Sequence, residues 1–132
     1  MTISYNCKFC SAEGTTSSDC TAEVFAMFKM EHWLPLLACD RCADYHEEKN
    51  RLRERIGKAA YATQRLRFMG AWNEGSEKVA REKLAGLTQA FAELVCRHYR
   101  KVTVWEPEFV DMLIGKPEEV NRILDRYVKG VR

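Results

Sequence analysis

The stretch Cys39-Asp40-Arg41-Cys42-Ala43-Asp44-Tyr45, which runs on in one pattern to Arg67-Phe68, decides the fold. It sets two thiols two residues apart at the mouth of a helical pattern. Tyr45, Leu52, Ile56, Ala59, Thr63 and Leu66 then recur at seven, four, three, four and three residues, which places them on one helical face. Gly57 weakens such a helix without breaking it. A second pair of the same spacing, Cys7-Lys8-Phe9-Cys10, lies 28 residues upstream. A turn of this kind presents both sulfurs to one tetrahedral ion, and two turns complete a four-thiolate shell. The expectation is one structural Zn2+ held by Cys7, Cys10, Cys39 and Cys42. With every position taken by sulfur there is no place for a water or substrate, so the metal shapes the fold and does no chemistry.

The chain has 132 residues, enough for one domain of ordinary size. We expect a single domain, 1–132, with a zinc-binding portion over 1–48 and a helical portion over 49–132. Six cysteines in a chain with no secretory leader and with matched pair spacings favour a metal in a reducing cytoplasm over disulfides. No apolar run reaches the roughly 18 residues of a membrane span. The formal net charge is only +2, but its distribution is uneven: residues 1–48 carry a net −5 and residues 49–67 a net +6.

Tyr5 to Ser11 reads as a metal-binding knuckle, and Gly14-Thr15-Thr16-Ser17-Ser18 as a polar loop. Val24 to Lys29 is rich in β-branched and aromatic residues, Met30 to His32 can turn, and Trp33 to Ala38 is a second apolar run. Together they predict a β-hairpin with Pro35 at an edge. A short helix over Thr21 to Met30 competes, because Glu23, Ala26, Met27 and Met30 are good helix formers. After the long helix, Gly70 to Gly75 supplies a break, and Ser76 with Glu77 marks a new start. Ala80, Leu84, Leu87, Phe91, Leu94 and His98 line one side of that helix, and Ala85, Ala92, Val95, Cys96 and Tyr99 a second. It is therefore expected at the centre of the core. Pro107 and Pro117 are placed to open two short helices ending near Gly115 and Lys129. The predicted fold class is mainly α: a knuckle and hairpin followed by a small helical bundle.

Over the first third of the chain, the order knuckle, hairpin and Cys-x-x-Cys at a helix start resembles treble-clef zinc fingers. Asn6-Cys7-Lys8-Phe9-Cys10 matches the knuckle, and Ala38-Cys39-Asp40-Arg41-Cys42-Ala43 the helix start. Thiolates are favoured at a helix N-terminus by its free N–H groups and positive dipole end. Cys20 and Cys96 fit no pair and read as small core residues, although Cys20 remains a competitor for the shell. His46, one turn past Cys42, reads as a neighbour of the site, and His98 as a hydrogen-bonded core histidine. Glu31-His32 ahead of Cys-x-x-Cys faintly resembles HNH nucleases, but the further His or Asn ligands which that resemblance requires are missing at the expected places. No phosphate loop, nucleophile elbow or paired-carboxylate motif is present. The chain is not expected to be an enzyme.

The basic stripe carries the functional expectation. Arg51, Arg55, Lys58 and Arg65 follow one flank of the long helix, and Lys49, Arg53 and Arg67 fall toward the other. Such a helix can lie along DNA or RNA, its arginines on phosphates and Asn50 and Gln64 toward base edges or sugars. The competing reading is a solvated helix with intramolecular ion pairs. A protein-binding adaptor or inhibitor, of a kind encoded by phages or mobile elements, is the alternative, its arginines meeting an acidic protein surface. Trp33, Trp72 and Trp105 lie at element boundaries, with Trp72 the most accessible and Trp105 expected in the core.

Overall fold

The computed structural model describes residues 2–17, 21–27, 29, 32, 34 and 36–132, with backbone alone for Ser17 and Phe25. The chain is mainly helical, with β1 (Thr2–Asn6), β2 (Glu13–Ser17), α1 (Ala22–Met27), α2 (Asp40–Phe68), α3 (Glu74–His98), α4 (Glu108–Gly115) and α5 (Val120–Val131). It divides into two compact units, Met1–His46 and Glu47–Arg132, so that α2 begins in the first and continues through the second.

In the first unit, β1 and β2 pair antiparallel from Thr2 opposite Ser17 to Asn6 opposite Glu13. The hairpin is therefore present, but it encloses the Cys7–Cys10 turn instead of following it. The expected polar loop at 14–18 is strand as far as Ser17. Pairing with Ile3 and Tyr5 overrides its small polar composition, because strand preference reflects what a segment packs against. Tyr5 faces Gly14 across the ladder, and a Cβ on Gly14 would lie 2.9 Å from the ring of Tyr5. Glycine at 14 is thus the space in which the tyrosine lies. The hairpin predicted over 24–38 is not found at its first arm, where residues 22–27 form α1. Thr21 Oγ1 accepts a hydrogen bond from Val24 N at 3.3 Å, and this cap joins Ala22, Glu23, Ala26 and Met27 in favouring helix over strand. Trp33, Pro35 and Cys20 lie outside the described residues.

In the second unit, α2 buries Leu52, Ile56, Ala59 and Thr63 of the face its spacing predicted, together with Ala60, while Leu66 is half-buried. It ends where Gly70 takes φ 70°. There Ala71 N donates to Leu66 O and Gly70 N to Arg67 O, a Schellman stop in which glycine avoids the penalty of the left-handed conformation. The next helix starts slightly earlier than Ser76 predicted, because Asn73 is the cap. Ser76 N donates to Asn73 Oδ1 at 3.0 Å and Asn73 N to Ser76 Oγ at 2.9 Å, a reciprocal capping box. Helix α3 packs against α4 and α5, burying Leu84, Leu87, Phe91, Ala92, Val95 and Cys96.

The connector after α3 is fastened at two points. Trp105 Nε1 donates to Thr88 Oγ1 at 2.9 Å, and Tyr127 Oη donates to Val104 O at 2.7 Å. Tyr127 also packs edge-on against Phe109, ring centroids 5.2 Å apart. Burial and then its contact with Cys96 push the Tyr127 hydroxyl well above the usual phenol range. It therefore holds its proton for the bond to Val104. Pro117 opens a single 3-10 turn, Pro117–Glu119, that leads into α5.

Candidate metal centre and the basic helix

The two cysteine pairs reach the same point from two elements. Cys7 and Cys10 sit on the turn closing the hairpin, where Cys7 N donates to Ala12 O and Ser11 N to Cys7 O, each at 2.9 Å. Ser11 adopts φ 61° to complete this reversal. Cys39 stands immediately before α2 and its carbonyl accepts Ala43 N at 2.9 Å, so Cys42 lies in the first turn. The halves are joined by Lys8 N donating to Leu37 O at 2.8 Å and by the Tyr5 hydroxyl donating to Ala38 O at 3.4 Å. One backbone bond and one tyrosine hydroxyl thus bring the knuckle to the residues just ahead of α2.

The sulfurs of Cys7, Cys10, Cys39 and Cys42 all lie within 4.8 Å of one another. A tetrahedron with Zn–S bonds of about 2.3 Å has edges of about 3.8 Å, and the Cys10 and Cys39 sulfurs are 3.7 Å apart. All four are free cysteines, with no disulfide among them. The arrangement fits a four-coordinate metal ion.

The electrostatics of the sulfurs agree with that fit. Burial by itself raises the Cys7 thiol, but the backbone N–H groups of Cys39, Cys10 and Phe9 outweigh it and bring Cys7 down to about 6. The Phe9 N–H lies 3.4 Å from the Cys7 sulfur. Cys42 moves the other way, pushed up by burial and then by the neighbouring sulfurs of Cys39, Cys10 and Cys7. Four sulfurs this close cannot all carry charge by themselves, and a divalent cation among them removes that conflict.

His46 is not one of the clustered donors. Its ring lies 3.9 Å from that of Phe9 and 4.8 Å from that of Tyr45, so it braces the knuckle from α2. His32 is exposed, and Cys96 is buried in the other unit beside Tyr127. His98 is half-buried and packs edge-on to Tyr99. Phe9 and His46 as a brace were not foreseen, although their positions inside the first motif and one turn past the second were the available signal.

The structure sorts the predicted basic residues into two groups. Arg51 is held by Glu47 at 3.3 Å and Glu48 at 3.2 Å, Lys58 by Glu54 at 3.1 Å, and Arg53 by Asp125 at 2.6 Å. Arg67 lies over the ring of Trp72 at 4.9 Å. Lys49 is half-buried, and burial followed by repulsion from Arg53 lowers its ammonium below the usual lysine range. Arg55 and Arg65 are exposed and join no ion pair among the described residues. Asn50 is exposed and Gln64 half-buried. The Arg53–Asp125 pair spans α2 and α5, a partnership that no local pattern in the sequence announces. A groove of about 760 Å³ runs beside this face, lined by Asn50, Gly57, Lys58, Tyr61, Arg65 and Asn121 among others. Tyr61, 49% exposed, is the residue on this face that sequence reading did not single out.

No protein-family model, curated protein or solved structure matches this chain, so its reading rests on these geometries. Among the described residues, no helix is long and apolar enough to cross a membrane.

Proposed function

We propose that the chain is a non-enzymatic, zinc-stabilised protein of treble-clef-like design that binds DNA or RNA through the exposed face of α2. One observation carries the reading: Arg55 and Arg65 stand exposed on α2 with no acidic partner among the described residues, to either side of Lys58 in sequence, and Arg65 and Lys58 line a groove that holds Asn50 and Tyr61. Cations held in this way on a rigid helix meet phosphates spaced along a backbone, and each contact releases counterions. Tyr61 adds a ring on which a base can stack. The ion pairs at Arg51 and Lys58 are surface pairs worth little, which a phosphate can displace.

Binding to mixed duplex and single-stranded oligonucleotides, measured across a salt series, tests the proposal. Engagement of three or four cations gives a log–log slope of about −3. Absence of binding, or binding that salt leaves unchanged, removes it.

A second reading, a protein-binding adaptor, is favoured by a different feature. Phe68 and Met69, at the end of α2, are 84% and 73% exposed, and large exposed apolar side chains side by side are suited to a protein partner. Binding through them depends little on salt.

A further inference from the structure

The four cysteines are not equivalent toward solvent. Cys7 and Cys42 are 2% and 0% exposed. Cys10 is exposed and Cys39 is partly so, and their sulfurs lie 3.7 Å apart. Both natural Cys-x-x-Cys pairs therefore combine one accessible cysteine with one shielded cysteine. The pair of cysteines that both reach solvent crosses from the knuckle to the start of α2. We propose that Cys10 and Cys39 form an oxidative modification site, in which a hydroperoxide joins them in a disulfide and releases the metal from the centre.

The chemistry balances with the hydroperoxide as the sole oxidant. The accessible Cys10 thiolate attacks the terminal peroxide oxygen, the O–O bond breaks, and hydroxide (or alkoxide) leaves, giving a sulfenic acid. The Cys39 sulfur attacks that sulfur, the S–O bond breaks, and a second hydroxide leaves. The two thiolates lose two electrons, the peroxide gains them, and two protons from solvent yield two waters when the oxidant is hydrogen peroxide. Accessibility and thiolate character decide where such oxidation starts. The second attack needs only a short approach, since the sulfurs must close from 3.7 Å to bonding distance. Two of four ligands are then consumed, and a two-thiolate remainder holds zinc poorly. The new bond ties residue 10 to residue 39, so the chain stays closed where the metal closed it. A thiol reductant restores both ligands and allows reloading. Cys96 is spared, because it is buried beside Tyr127.

The test uses the full chain carrying zinc, treated with stoichiometric hydrogen peroxide. Release is followed with a zinc-sensitive dye, and non-reducing peptide mapping locates the disulfide. The expected result is one zinc released per disulfide formed, the disulfide linking Cys10 to Cys39, and recovery of metal binding after reductant and zinc are added. Cys10→His keeps a zinc ligand while removing one oxidisable sulfur, and it should slow peroxide-driven release at least tenfold. Retained zinc, a dominant disulfide within Cys7–Cys10 or Cys39–Cys42, or unchanged release from Cys10→His overturns the proposal. The wild-type peptide map decides by itself if the histidine variant fails to load.

Discussion

Cys42→Ser is expected to unfold the Met1–His46 unit while leaving the helical unit with a cooperative melt. Cys42 is fully buried among the other three sulfurs, and a serine hydroxyl is a poor zinc ligand in their company. Structural zinc contributes on the order of 10 kcal/mol to small sites, comparable to the whole stability of an ordinary domain. The first unit has little to replace that contribution. Its hairpin is two-stranded, which is marginal in isolation, and its buried apolar residues beyond the ligands come down to Tyr45 among the described ones. The second unit has a core of its own in Ile56, Leu84, Phe91, Val95 and Leu113. Limited proteolysis of the variant should cleave within the first 46 residues, and circular dichroism should retain most of the helix signal. A variant with unchanged melting and unchanged protease resistance contradicts the structural role of the sulfurs.

Charge reversal of Arg55, Lys58 and Arg65 to glutamate should weaken nucleic-acid binding about a thousandfold without unfolding the chain, since loss of one charge-assisted contact costs about tenfold. All three are exposed on α2, and each is assigned a phosphate contact. The introduced carboxylates add repulsion toward the phosphates. The cost to the fold is small, because surface substitutions rarely exceed about 0.5 kcal/mol each. Lys58→Glu also replaces the ion pair with Glu54 by a like-charge contact one turn away, which adds roughly a few tenths of a kcal/mol. The structure moves the choice of residues away from Arg51, which already sits between Glu47 and Glu48. Affinity kept within a few-fold, with circular dichroism unchanged, would move the functional surface elsewhere, and the exposed Phe68 and Met69 would be the next to replace.

What was legible in the sequence was what repeats. The α2 face followed from spacing alone, and so did the cluster of four cysteines, because ligand chemistry constrains residue type and separation together. The short elements around the knuckle were less legible. Residues 13–17 became a strand through pairing with β1, and residues 22–27 took the helix that competed with a strand there, its helix formers joined by a threonine cap. The sign and strength of the basic stripe were also only half-visible. Counting arginines could not reveal that Arg53 is held by Asp125, 72 residues away, or that Arg67 rests on Trp72. Charge is a property of composition, whereas availability depends on tertiary neighbours.

The most direct test of the central claim is the metal content of the purified chain, by elemental analysis and native mass spectrometry. One zinc per chain is predicted, lost when Cys42 is replaced by serine and retained when Arg55, Lys58 and Arg65 are reversed. A chain that carries no metal, or one whose metal survives the loss of Cys42, contradicts the account.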